Sequence, residues 1–141
     1  GDWSSDVCSS DLIVIYIQRG VPSVLARLNE LGADRVALPS IVAAELACGV
    51  EKSTFKDRNR KVLELFLSEV RVLPWTQDAM WHFARQQHEL RQSGQVIGEL
   101  DLLIACQALA LDAVCVTNNT REFGRIKGLK LENWVKPASV K

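Results

Sequence analysis

Apolar positions recur along the chain at helical spacing in some stretches and as short unbroken runs in others. Val21, Val24, Leu25, Leu28 and Leu31 share one helical face, and Gly32 is placed to stop that helix. Val36, Ala37 and Leu38 form a short apolar run, the signature of a strand buried on both faces. Ser40 is a suitable cap for a helix carrying Ile41, Ala44, Leu46 and Ala47 as far as Gly49. Val62, Leu63, Phe66 and Val70 make another stripe, and a strand over 70–73 ends at Pro74. Thr76 predicts the cap of a long helix that turns Met80, Phe83, Ala84 and Leu90 inward and ends at Gly94. Leu100, Leu103, Ile104, Ala108 and Leu111 define a helix after Gly98. Strands are expected at 114–116 and within 129–134. Residues 13–17 allow a strand or one or two helical turns.

Helices alternating with short apolar strands imply an α/β fold, a small and mostly parallel sheet of four or five strands with helices on both faces. At 141 residues, with 48% hydrophobic and 24% charged, the chain has the composition of one ordinary globular domain. No apolar run approaches a membrane span and no cationic leader precedes one, so a cytoplasmic location is expected.

Residues 1–12, GDWSSDVCSSDL, stand apart. They contain Asp2, Asp6 and Asp11 and no base. They look like the translation of a sequencing adapter that replaces the native N-terminus, which leaves 13–141 as the domain. The charge balance then changes meaning. Over the whole chain 17 bases match 17 acids, which argues against a nucleic-acid partner. Without residues 1–12 the same 17 bases face 14 acids, and that argument lapses.

Four cysteines without a CxxC pair, and two histidines six positions apart, do not suit zinc. Any metal must be held by oxygen. In parallel α/β folds, ligands bind beyond the carboxyl ends of the strands. Three connections deliver oxygen-bearing side chains there. Glu45 lies on an otherwise apolar helix, Asp101 opens a later helix, and Asn118 and Asn119 follow a strand directly after Thr117. Each also has a plainer reading, as a solvated helix residue, a partner of the helix dipole, or turn chemistry.

The stretches LPSIVAAELACGVEKS (38–53), ELRQSGQVIGELDLLIACQALA (89–110) and VTNNTREFGRIKGLKLENW (116–134) resemble PIN-domain ribonucleases, specifically the VapC toxins of bacterial toxin–antitoxin pairs. The VTNN-x-REF run is similar to one VapC subgroup. The resemblance implies a PIN-like three-layer fold and a metal-dependent endoribonuclease using Mg²⁺ or Mn²⁺, with tRNA or another structured RNA as substrate. It also implies a VapB-type antitoxin and homodimers. On this likeness Glu45 and Asp101 are catalytic acids and metal ligands. Asn119 takes a third acidic position, Glu122 acts nearby through water, and Thr117 and Asn118 support phosphate or water. The family's first catalytic Asp aligns with Ser10, one residue from Asp11, and the family's central strand falls on the adapter-like residues. The chain as written is therefore expected to be impaired, unless Asp11 substitutes for the missing acid. In the family, residues 13–17 belong to a short helix.

Two basic clusters bear on RNA. Arg121, Arg125 and Lys127 lie near Asn119, with Lys130 beyond, and are the expected phosphate contacts. Lys52, Lys56, Arg58, Arg60 and Lys61 suit either phosphate contacts or an ordinary solvated surface. Trp75, Trp81 and Trp134 are expected in the core or an interface. Two other classes compete with the nuclease reading. A phosphoacceptor receiver needs an Asp and a later Lys at strand ends, and the VTNN run offers neither. A PIN relative that has lost catalysis and only binds antitoxin or RNA is the alternative reading.

Overall fold

The computed structural model describes residues 36–133 together with a strand at 7–9. The expected elements at 13–17 and 21–32, and Trp134, lie outside the described residues. The sheet has five strands: β1 (Val7–Ser9), β2 (Val36–Pro39), β3 (Arg71–Leu73), β4 (Val114–Val116) and β5 (Lys130–Glu132). Their order is β3-β2-β1-β4-β5, and every neighbouring pair is parallel. Five helices connect them: α1 (Ser40–Lys52), α2 (Lys56–Glu69), α3 (Gln77–Ser93), α4 (Glu99–Leu111) and α5 (Thr120–Phe123).

The strand order fixes where a site can form. From β1 the chain steps outward to β2 and β3, then returns across the sheet to β4 and β5. Right-handed crossovers put the two sets of connecting helices on opposite faces. The reversal leaves a crevice beyond the carboxyl ends of β1 and β4, where Ser9 pairs with Val116. All four residues of β2 are buried, as a strand covered on both faces requires.

The resemblance places the family's central strand on the adapter-like residues before 13–141, and a strand stands there. Val7–Ser9 takes that place, pairing Val7 with Val36 on one side and Val114 on the other. Without it, the facing edges of β2 and β4 would leave buried backbone groups unpaired.

Helix boundaries follow local chemistry, with some shifts from expectation. Pro39, at φ −59°, stands at the cap of α1, so Ser40 is its first helical residue and caps nothing with its side chain. The helix runs three residues past Gly49 and stops where Ser53 turns its N–H and hydroxyl onto the Val50 carbonyl at 3.0 and 2.6 Å. In α3, Thr76 accepts from the Ala79 N–H as its sequence predicts. Gly94, at φ 73°, closes that helix with paired bonds from Gly94 N to Arg91 O and Gln95 N to Leu90 O.

The inward face of α3 is rotated from the expected one. Ala79, Gln86 and Leu90 are buried, whereas Met80 and Ala84 are exposed. Gln86 is satisfied in its buried position by donating to the Lys127 carbonyl at 3.3 Å. Trp75 meets Phe83 edge-on, and Trp81 is exposed rather than packed in the core. On α2 the buried residue is Leu63, with Val62 turned outward. Helix α4 is apolar nearly all round and correspondingly buried, although its Leu100 is exposed. Its Gln107 donates to the carbonyls of Leu73 and Pro74 at 3.0 and 2.8 Å, tying α4 to the end of β3.

Candidate active site

The residues after β4 form the floor of the crevice. Thr117 is buried. Its N–H donates to the Glu132 carbonyl at 3.0 Å, and its hydroxyl accepts from the Asn119 N–H at 3.0 Å. That local turn, a hydroxyl bonded to a backbone amide two residues on, aims Asn119 back toward the sheet. Asn119 then begins α5, and the helix places Glu122 three residues later beside it.

The Asn119 side-chain amide donates to Glu122 Oε2 at 2.9 Å and reaches Asp101 Oδ2 at 3.5 Å, the long limit for such a bond. Asp101 stands in the first turn of α4, where the amide groups of the helix start favour negative charge. Residues from two loops far apart in sequence thus meet as acid, amide and acid.

Glu122 also lies near the Gly98 backbone N–H at the cap of α4. The Asn119 amide holds its carboxyl below the ordinary glutamate range; the Gly98 N–H and the cations Arg125 and Arg121 act in the same direction, partly opposed by burial. The Arg125 guanidinium itself donates to the Val96 carbonyl at 2.9 Å, bracing the α3–α4 loop against α5. Behind the cluster, burial and the nearby Asp101 charge push the Cys115 thiol up to about 12. A Cβ at Gly98 would stand 3.9 Å from Asp101 Oδ2, in ordinary contact with it.

The structure brings together three of the sequence-predicted site residues, Asp101, Asn119 and Glu122. Glu45 lies half-buried on α1, which packs against α4. Thr117 is committed to the turn. Asn118 is exposed and accepts from Asn133 Nδ2 at 3.1 Å, so it links β4 to the end of β5. Arg121 and Lys127 are exposed, and Arg125 is half-buried. Ser10 and Asp11 lie outside the described residues. Among the described residues, no three His, Cys, Asp or Glu side chains converge as a metal-ligand group. Sequence reasoning missed the Gly98 N–H, because a backbone donor has no letter of its own; its signal was a glycine just before a helix that opens with acids.

The sequence itself matches a known domain model. The PIN domain model aligns with residues 13–129. The chain belongs to the PIN-domain family. Within that family it is a homologue of the VapC ribonuclease toxins. It is 40% identical over 124 residues to ribonuclease VapC2 of Haemophilus influenzae, covering 87% of this chain and 93% of that protein. It is 35% identical over 125 residues to the tRNA(fMet)-specific endonuclease VapC of Shigella flexneri, covering 89% and 94%. The VapBC2 structure from Rickettsia felis, bound to a promoter DNA fragment, superposes with a TM-score of 0.86 at 37% identity over 92% of this chain and 98% of that one. The five-stranded parallel sheet is thus a PIN fold, as the sequence motifs imply. No helix among the described residues is long and apolar enough to cross a membrane.

Proposed function

We propose that this PIN-domain protein is a divalent-metal-dependent endoribonuclease acting in the cytoplasm as the toxin of a toxin–antitoxin pair. The Asp101–Asn119–Glu122 cluster at the sheet's switch point carries the reading. Its donors are all oxygen, apart from an amide whose nitrogen bridges the two acids. Such a set suits Mg²⁺ or Mn²⁺ rather than zinc. Asn119 Oδ1 accepts no hydrogen bond among the described residues and is available as a further oxygen.

In this reading Asp101 and Glu45 hold the ion, and Asn119 orients Asp101 and Glu122. When bound, the ion lowers the pKa of a water and neutralises charge growing on the phosphate. Thr117 fixes Asn119, while Arg121, Arg125 and Lys127 draw the RNA backbone toward the acids. Transfer RNA is the proposed substrate class, supported by the naming of the Shigella relative as tRNA(fMet)-specific. A VapB-type antitoxin is the proposed partner and homodimers the proposed assembly, supported by the VapBC complexes among the structural neighbours.

Residues 1–12 are proposed to stand in place of a native N-terminus that supplies another acid at position 10. The chain as written, with Ser10 there, is expected to cleave weakly and to retain RNA and antitoxin binding. The test is cleavage of bulk tRNA with Mn²⁺ by a Ser10→Asp chain, with and without Asp101→Asn. Loss of cleavage by about 10²-fold or more on Asp101→Asn is expected, at least the scale seen when metal-site support is removed. Undiminished cleavage by the Asp101→Asn chain would overturn the reading.

A further inference from the structure

The turn between α1 and α2 carries a feature that the acidic cluster does not explain. Phe55 is 60% exposed at the start of α2. The Arg58 guanidinium lies over one face of its ring, 4.8 Å from the centroid. The ring borders an open hollow of about 560 Å³ lined by Thr54, Phe55, Lys56, Asp57 and Arg58. Its immediate neighbours are polar or charged and exposed, so this is not the edge of an apolar groove.

The turn is also held in shape. Asn59 donates its side chain to Ser53 Oγ at 2.9 Å and its N–H to the Phe55 carbonyl at 2.9 Å. Ser53 in turn is bonded to Val50. An aromatic ring fixed this way loses little freedom when something stacks on it.

The surrounding charge is positive. Five bases, Lys52, Lys56, Arg58, Arg60 and Lys61, fall within ten residues against the single acid Asp57. Lys56 and Arg60 are partly occupied by Glu51 and Glu64 at 3.8 and 3.2 Å. Lys52 and Lys61 are exposed, and no ion pair engages them among the described residues. Lys52 lies seven residues beyond Glu45 on the same helix, about 10 Å along its axis. That is a few nucleotides' length at about 3.4 Å per stacked base.

We propose that this turn is a stacking platform for a single-stranded segment of the RNA substrate. A base lies on the open face of Phe55, Arg58 extends the stack from the other face, and Lys52 and Lys61 contact flanking phosphates. The proposal rests on the ribonuclease reading and adds where the strand lies beyond the cut site. A ring with a guanidinium on one side and free cations around it meets the two requirements of single-strand binding, a π-face and a positive track.

The test measures binding of the unaltered chain and its variants to a fluorescent oligoadenylate of about twelve nucleotides, within the usual range of single-strand site sizes. Phe55→Ala and Phe55→Leu are expected to weaken binding by about tenfold or more, the scale of one lost stack, and Phe55→Trp to retain it. Lys52→Ala with Lys61→Ala is expected to reduce the slope of log affinity against log salt by about 1.4, at about 0.7 per lost phosphate contact. Phe55 is exposed, and unchanged thermal unfolding of each variant confirms that folding is intact. If the unaltered chain binds RNA and the Phe55→Leu chain binds it equally well, the platform is overturned and the nuclease reading stands. If Phe55→Ala changes the oligomeric state but not RNA affinity, the ring serves a protein contact and the proposal fails. If the unaltered chain binds no RNA and its Ser10→Asp form cleaves none, both readings fall together.

Discussion

Asn119 holds Glu122 through a 2.9 Å hydrogen bond from its side-chain amide, and that bond lowers the Glu122 pKa. The bond joins the two ends of a single helical turn, so it also fixes the start of α5. A carboxyl whose folded pKa is depressed contributes stability above its unfolded pKa. The contribution is lost as pH falls through the folded value. Asn119→Ala should therefore be less stable than the parent at pH 7. The gap should narrow as pH falls below the ordinary glutamate range and Glu122 is protonated in both. Urea unfolding of both chains across that range would show it; a gap independent of pH would mean that the bond does not act through the Glu122 charge.

Two glycines should respond oppositely to the same change. Gly49 is inside α1, and a Cβ added there would meet nothing within 4 Å, so Gly49→Ala removes unfolded-state freedom without a clash. It should stabilise the fold by about 0.5–1 kcal/mol. At Gly124, just past α5, a Cβ would meet the Thr120 carbonyl oxygen at 2.8 Å. Backbone must move to admit it, and Gly124→Ala should destabilise by roughly 1–3 kcal/mol. Thermal unfolding of the two variants side by side would check the opposite signs.

The three cysteines whose side chains are described should separate by reactivity. Cys106 and Cys115 are buried, and burial raises each thiol to about 12; Cys48 is exposed on α1. The thiolate is the reactive form, so at about pH 8 a maleimide should label Cys48 quickly and the other two only after unfolding. Peptide mapping by mass spectrometry reads each site separately. Rapid labelling of Cys115 in the folded chain would contradict its place in the sheet.

The sequence disclosed most where a residue's local chemistry and its tertiary role agree. Thr76 and Gly94 bracket α3 because a hydroxyl acceptor and a left-handed glycine are local requirements of helix ends. The inward face of that helix was less legible. Periodicity counts apolar letters, whereas Gln86 is buried because its amide reaches Lys127, 41 residues away. The same division runs through the candidate site. Asp101 and Asn119 are marked by helix and strand ends, but their meeting with each other, and that of Glu122 with Gly98, depends on how two loops fold onto one another. Phe55 carried no pattern at all, since a lone aromatic between polar neighbours reads equally well as loop or core.

The strand through the middle of the sheet bears directly on the proposed metal site. β1 ends at Ser9, opposite Val116, so the chain leaves the sheet at the crevice that Thr117 and Asn119 line. Ser10 follows, where the family resemblance calls for an acid. Adding a carboxylate to a set of oxygen donors raises affinity for a hard cation and repels the other carboxylates when the cation is absent. Ser10→Asp should therefore do three things together. It should raise Mn²⁺-dependent tRNA cleavage, by on the order of 10²-fold if the acid is a direct ligand. It should lower stability in EDTA relative to the parent. It should make the melting temperature rise more steeply with added Mn²⁺, because binding to the folded state alone stabilises by mass action. Thermal unfolding with and without Mn²⁺, run beside the cleavage assay, separates the ligand role from a general effect. Unchanged metal response with higher cleavage would place the new carboxylate outside the metal site, and no change in either would remove position 10 from the active centre.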